Sequence, residues 1–267
     1  MTLFASLRIV VIFASMLILF LVATPLVARP LAPVDASAGA EGAVLSRSDV
    51  PASAIVIGFV GGFVRHDNAR HIPVQLAQRM QRTLAKGTYV RVFENRHRKQ
   101  AYKAIVNLLD SNHDGVLSAE EKAHARIVLF GHSWGAAAAV LLAHDLEREH
   151  IPVLLTVQVD SVAKFWQNDS VIPANVTEAV NFYQTHGLIH GRAQITAADP
   201  ARTEILGNYL VDYRKTPVDC GGGSWFDHLA PSHAQSECDP QLWSWIGEMV
   251  RQRLAPPTNT ASVSPQP

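Results

Sequence analysis

The sequence predicts an α/β protein built on a doubly wound, mostly parallel sheet. Two observations carry this. Short apolar, β-branched runs alternate along the chain with amphipathic helical stretches. The first of these runs, Ala54–Val60, is also apolar on both faces, as a strand covered on both sides requires. Right-handed crossovers would then bring the ends of all these strands to one edge of the sheet, where sites form.

The elements follow in order. Ala54–Val60 is β-branched and reads as a buried strand. Leu76, Met80 and Leu84 share one helical face, and Gly87 ends that helix. Tyr89–Phe93 alternates into a second strand. Ala101, Ala104, Ile105, Leu108 and Leu109 form a helical stripe. Ile127–Phe130 is a third strand, Ala136–Leu146 an almost wholly apolar helix, and Val153–Val159 a fourth strand. Beyond residue 160 the pattern weakens. Glu178–Tyr183 reads as a further strand and residues 188–212 as a hairpin or cap. Leu242, Trp245, Ile246, Met249 and Val250 mark a final helix starting near Asp239.

The chain has 267 residues, enough for one good-sized core or two small ones. Lys plus Arg and Asp plus Glu both number 23, so no basic excess points to nucleic acid or an acidic surface. Residues 1–28 read as a secretory signal peptide: Arg8, the apolar run Ile9–Ala23, and small residues around Ala28. That run is short of the roughly 20 residues that span a bilayer. A membrane contact is expected only if the segment stays uncleaved. Residues 29–52 read as a linker, 53–255 as the folded domain and 256–267 as a disordered tail. The chain is thus expected to be secreted or periplasmic, and a monomer. In such a compartment Cys220 and Cys238 form an expected disulfide.

Gly131-His132-Ser133-Trp134-Gly135 fits G-x-S-x-G and sits between the third strand and the helix after it. A tight strand-to-helix turn exposes the Ser133 hydroxyl, and the glycines admit neighbouring backbone. The helix N-terminus offers N–H groups to a developing oxyanion. The competing reading is a glycine-rich turn of a nucleotide-binding fold. On this motif, and on Gly58-Phe59-Val60-Gly61-Gly62 after the first strand, the chain resembles the α/β-hydrolase superfamily over roughly residues 53–250. The resemblance is to serine esterases and lipases. It implies oxyanion donors at the backbone N–H of Phe59, with Val60 as alternative, and of Trp134. Superfamily members usually have two strands before this point, so the chain resembles a minimal version of the fold.

A serine hydroxyl needs a base, and the base an orienting carboxylate. The superfamily order is serine, acid, histidine. Asp160 ends the fourth strand, and Asp160-Ser161-Val162 is similar to the acid turn of lipases of the pancreatic type. Asp199 is the alternative acid, and a helix cap or turn is the alternative role for Asp160. The resemblance places the base just before the last helix. His233 is chosen there over His228, and His132 is read as packing or hydrogen bonding within the elbow. The implied activity is ester hydrolysis on a small-molecule or lipid ester, or acyl transfer to an alcohol on the same triad. The rival is a non-catalytic, calcium-binding exported protein.

Residues 110–121 match a twelve-residue EF-hand loop at every ligand position. Asp110, Asn112 and Asp114 take the first three positions, Val116 offers a carbonyl, Ser118 a water-mediated contact and Glu121 a bidentate carboxylate. The expected cofactor is one structural Ca2+. Ser118 and Glu121 equally fit a capping box.

Overall fold

The four runs between residues 54 and 160 expected to be strands all form strands of one sheet. The computed structural model describes residues 54–221 and 229–255. The expected signal peptide, the linker up to residue 53, His228 and the tail lie outside them. Strands β1 (Ala54–Val60), β2 (Thr88–Glu94), β3 (Ile127–His132) and β4 (Val153–Val159) are separated by helices α1 (Ile72–Thr83), α2 (Arg98–Leu109), α3 (Ala119–Ala123) and α4 (Trp134–Arg148). Then come the two-residue β5 (Val171–Ile172), β6 (Val176–Tyr183), the two-residue β7 (Thr196–Ala197) and β8 (Glu204–Leu210). Helices α5 (Pro231–Cys238) and α6 (Pro240–Leu254) close the described chain.

The main sheet has six parallel strands in the order β2-β1-β3-β4-β6-β8. Alternation divides each strand between two cores. On β1, Val56 and Val60 face α1 and α6, with Phe130 and Trp243 in the same cluster. Ile55, Ile57 and Phe59 face α2 and α4, among Ile105, Leu142 and Leu146. The chain steps outward from β1 to β2, then returns across β1 to β3, so the winding reverses between β1 and β3. Their C-terminal ends therefore diverge into loops that leave a crevice, the place where α/β sheets form sites.

Two regions differ from the sequence reading. Residues 188–212 hold neither a hairpin nor a cap. They hold β7, paired in parallel with β5, and β8, a sixth parallel strand of the main sheet. As an edge strand β8 is only half covered, and Gly207 and Asn208 interrupt its apolar pattern. A bulge opposite Ala179 and Val180 blurs its period further. The segment bearing His233 is a helix rather than a loop, opened by Pro231 in its first turn. Cys220 and Cys238 are bridged, with Cα atoms 5.6 Å apart, so the last residue of α5 is tied to the chain before it. Among the described residues no helix is long and apolar enough to cross a membrane.

Candidate active site

Ser133 stands between β3 and α4 with φ 55° and ψ −127°, a left-handed backbone that a side-chain-bearing residue adopts at a cost. The flanking glycines explain why the turn closes. A Cβ on Gly131 would lie 2.4 Å from the Gly135 carbonyl, and one on Gly135 would lie 2.3 Å from the Phe59 oxygen. The Ser133 N–H donates to the Val159 carbonyl at 3.0 Å, and its own carbonyl accepts from Val162 at 3.3 Å. The elbow is thus tied to β4 and to the loop after it. Trp134 and Gly135 open α4, where N–H groups have no partner earlier in the helix.

Three polar side chains from three elements meet at this edge. His233 Nε2 lies 2.9 Å from Ser133 Oγ. His233 Nδ1 lies 2.6 Å from Asp160 Oδ2. A carboxylate only accepts, so Nδ1 carries the proton and Nε2 presents its lone pair to the hydroxyl. All three are buried, Asp160 completely. Burial pushes the Asp160 carboxyl up. The hydrogen bond and charge of His233, with the Gln184 amide, outweigh it, and the group ends below the ordinary aspartate range.

The sequence reading missed what holds Asp160. The buried Gln184, just past β6, donates to Asp160 Oδ2 at 2.8 Å and also to the Ile189 carbonyl at 2.9 Å. The Gly191 N–H donates to Oδ1 at 2.5 Å. A Cβ on Gly191 would lie 2.5 Å from the Asp160 carbonyl carbon, so only glycine allows this approach. A polar residue ending a buried strand beside Asp160 was the available signal for Gln184. Gly191 left none without the topology.

His132 does more than pack within the elbow. Its Nε2–H donates to the His233 carbonyl at 3.2 Å and to Ser236 Oγ at 3.1 Å, and its ring lies 4.7 Å from the His233 ring. The elbow thereby holds α5, the helix that carries His233. Burial, reinforced by the neighbouring His233, lowers the His132 pKa to about 4, so the ring is neutral near pH 7.

Phe59 lies inside β1, paired with Phe93 on one side and Gly131 on the other, and is fully buried. Val60 ends the same strand. The loop reaches Ser133 further on: a Cβ on Gly61 would lie 3.0 Å from Ser133 Cβ. Asp199 precedes β8, at the opposite edge of the parallel sheet from Ser133, and caps its own turn through Ala201. A cavity of about 590 Å³ opens beside the acid loop, lined by Ser161, Val162, His190, Gly191 and Arg192 among others.

The loop 110–121 has the turn geometry of its motif. Gly115 has φ 82°, and its N–H donates to Asp110 Oδ2 at 3.0 Å. Asp114 accepts from Val116 N–H at 2.8 Å, and Asn112 from Asp114 N–H at 2.9 Å. Glu121 is engaged elsewhere. Its two oxygens accept from the N–H and hydroxyl of Ser111 and of Ser118, completing a capping box. These bonds, with the Ser118 backbone first, hold its pKa down to about 2. Among the described residues no three His, Cys, Asp or Glu side chains converge closely enough to hold a metal ion. Asp110 Oδ1 is buried without a partner.

No family model and no curated protein matches the chain. Solved structures do. RedJ, with a polyethylene glycol molecule in its active site, is 12% identical with TM-score 0.39, over 81% of this chain and 96% of that one. An acetyl xylan esterase is 12% identical with TM-score 0.36, over 76% and 99%. A cutinase-like protein from Cryptococcus sp. is 13% identical with TM-score 0.35, over 75% and 94%. Similarity this low decides nothing about chemistry, which rests on the site's own geometry.

Proposed function

We propose that the protein is a serine hydrolase cleaving carboxylic esters through an acyl-Ser133 intermediate. The observation that carries it is the continuous hydrogen-bonded line from Ser133 Oγ through the His233 ring to buried Asp160. His233 Nε2 takes the hydroxyl proton as Oγ bonds to the ester carbonyl carbon. The carbonyl electrons move onto oxygen, and the resulting oxyanion accepts from the Trp134 N–H and from the loop 61–63, which replaces Phe59 in that role. Collapse breaks the bond to the alcohol oxygen, which takes the proton from Nε2. Water repeats the sequence and releases the acid; an acceptor alcohol in its place would make the protein an acyltransferase. Asp160 stays ionised and stabilises the imidazolium.

Hydrolysis of a p-nitrophenyl ester tests the reading. His233→Ala should lose roughly 10³–10⁶ in kcat. Loss of the same order in His228→Ala, with His233→Ala active, would move the base.

The loop 110–121 is read as a structural calcium clip. The donor set suits a hard cation, and Asp110 Oδ1 is an acceptor left open. Asp110, Asn112, Asp114, the Val116 carbonyl and Glu121 would hold the ion, with Ser118 acting through water. Glu121 would first leave the hydroxyls of Ser111 and Ser118. The disulfide and the N-terminal apolar run support an exported protein.

A further inference from the structure

The rim of the site carries apolar side chains that the fold does not use. Phe63, Phe165, Trp166 and Leu188 are each more than four-fifths exposed, and Leu229 is about half exposed. They do not scatter over the surface. Phe63 follows β1, Phe165 and Trp166 follow β4, Leu188 follows β6, and Leu229 precedes α5. Since β1, β3, β4 and β6 run parallel, these loops all lie at the edge of the sheet that holds Ser133. Contacts join them. The Phe63 ring meets Trp134, the residue after the serine, edge-on at 5.5 Å. Lys164, beside Phe165, places its ammonium 5.0 Å from the same Trp134 ring. Single exposed apolar residues are ordinary, but a cluster of them around one opening marks an interaction surface.

The charges narrow the partner. The chain as a whole is neutral. In the loops 61–71, 161–170 and 185–194, Arg65 pairs with Asp67 and Arg192 with the buried Asp169, which leaves exposed Arg70 and half-exposed Lys164 as the net positive charge of this rim. Residues 161–170 and 185–194 contain no strand edge or helix on this rim that a peptide could extend or pack against. What remains for recognition is aromatic and aliphatic area interspersed with positive charge. That is the chemistry of an anionic lipid–water interface, where Trp and Phe enter the headgroup region and Lys and Arg meet the phosphates.

The geometry points to the loop rim around Ser133 as a docking surface for anionic lipid, which presents the site to esters held in that interface. The docking stands without the acyl-serine reading. Only the statement about the substrate rests on it. Docking is also independent of the N-terminal apolar segment, because it uses the folded domain's own loops.

The test uses the full chain carrying Ser133→Ala, so that binding is read without turnover. Brominated phosphatidylglycerol vesicles are compared with brominated phosphatidylcholine vesicles. The Trp166 contribution is isolated as the difference between this protein and one also carrying Trp166→Phe, which keeps an aromatic ring in the loop. Trp166 emission should shift to the blue and be quenched by the anionic vesicles, and much less by the zwitterionic ones. Lys164→Gln should weaken that binding about fivefold, as one basic residue near an anionic surface implies. In the Ser133 parent, Phe165→Ser with Trp166→Ser should leave hydrolysis of a soluble short-chain ester unchanged. The same pair should slow hydrolysis of an ester carried in the vesicles. If Trp166 stays unquenched while the chain binds through its N-terminus, the docking surface is overturned. Equal quenching by both lipids would overturn the role of charge. Loss of soluble-ester hydrolysis in the parent would sink the acyl-serine reading while leaving the quenching result to stand or fall alone.

Discussion

His132 should make the folded protein acid-sensitive by an amount the structure sets. The ring is buried and faces His233, Glu237 and Asp160, and its pKa falls from 6.5 to about 4. Its folded pKa is depressed, so below pH 6.5 the unfolded chain takes up a proton that the folded one refuses. Stability therefore rises with pH between about 4 and 6.5, and is lost as pH falls through that window. At 1.36 kcal/mol per pKa unit, the full loss by pH 4 is about 3 kcal/mol. The perturbation is His132→Gln, which keeps an amide donor for the His233 carbonyl but cannot titrate. Urea unfolding of both proteins, disulfide intact, at steps from pH 7.5 to 4 gives the two stability curves. Whatever the substitution costs in packing is constant with pH and drops out of the slope. The parent curve should fall more steeply than the variant curve, with the gap closing by about 3 kcal/mol toward pH 4. Parallel curves would mean that His132 titrates normally, and the buried, neutral ring bracing α5 would be the wrong description.

Gln184→Leu removes a donor from the Asp160 carboxylate while keeping the volume. A hydrogen bond to a charged group contributes about 1.5–3 kcal/mol, so kcat/KM for a p-nitrophenyl ester should fall roughly tenfold to a hundredfold. An unchanged value would show that Gly191 and His233 hold Asp160 without it. Calcium at about 100 times Kd should stabilise the domain by roughly 2.7 kcal/mol, EGTA should reverse this, and Glu121→Gln should abolish it. A melting curve indifferent to both additives would leave the capping-box turn alone. Replacing Cys220 and Cys238 together by serine opens a short loop, and should cost about 3 kcal/mol in the chain-entropy model, read by urea unfolding.

Sequence carried the winding and the elbow because both are local. Ile127–Phe130 and Ala136–Leu146 announce a strand and a helix by composition, and G-x-S-x-G between them leaves the backbone little choice. Asp160 was legible because it ends an apolar run. His233 was legible only through the resemblance, which places a base just before the final helix, and α5 itself was not, since Pro231–Cys238 shows only a weak apolar stripe. Gln184 and Gly191 act across strands and loops far apart in the chain, and no periodicity records that. The edge strand β8 failed for a related reason. Half-exposed strands need no continuous apolar run, and in Glu204–Leu210 the Gly207-Asn208 pair splits Ile205-Leu206 from Tyr209-Leu210. Phe59 and Val60 were expected in the loop beside Ser133, but β1 runs on through both and the loop begins at Gly61.

Ester cleavage through an acyl-Ser133 intermediate requires that His233 activate the Ser133 hydroxyl. A fluorophosphonate ester tests this directly, because it forms a stable bond only with an activated hydroxyl. Intact-mass and peptide analysis of the full chain should find one adduct, on Ser133. Ser133→Ala should show none, and His233→Ala should label far more slowly than the parent. An adduct elsewhere with Ser133 unmodified, or labelling indifferent to His233→Ala, would contradict it.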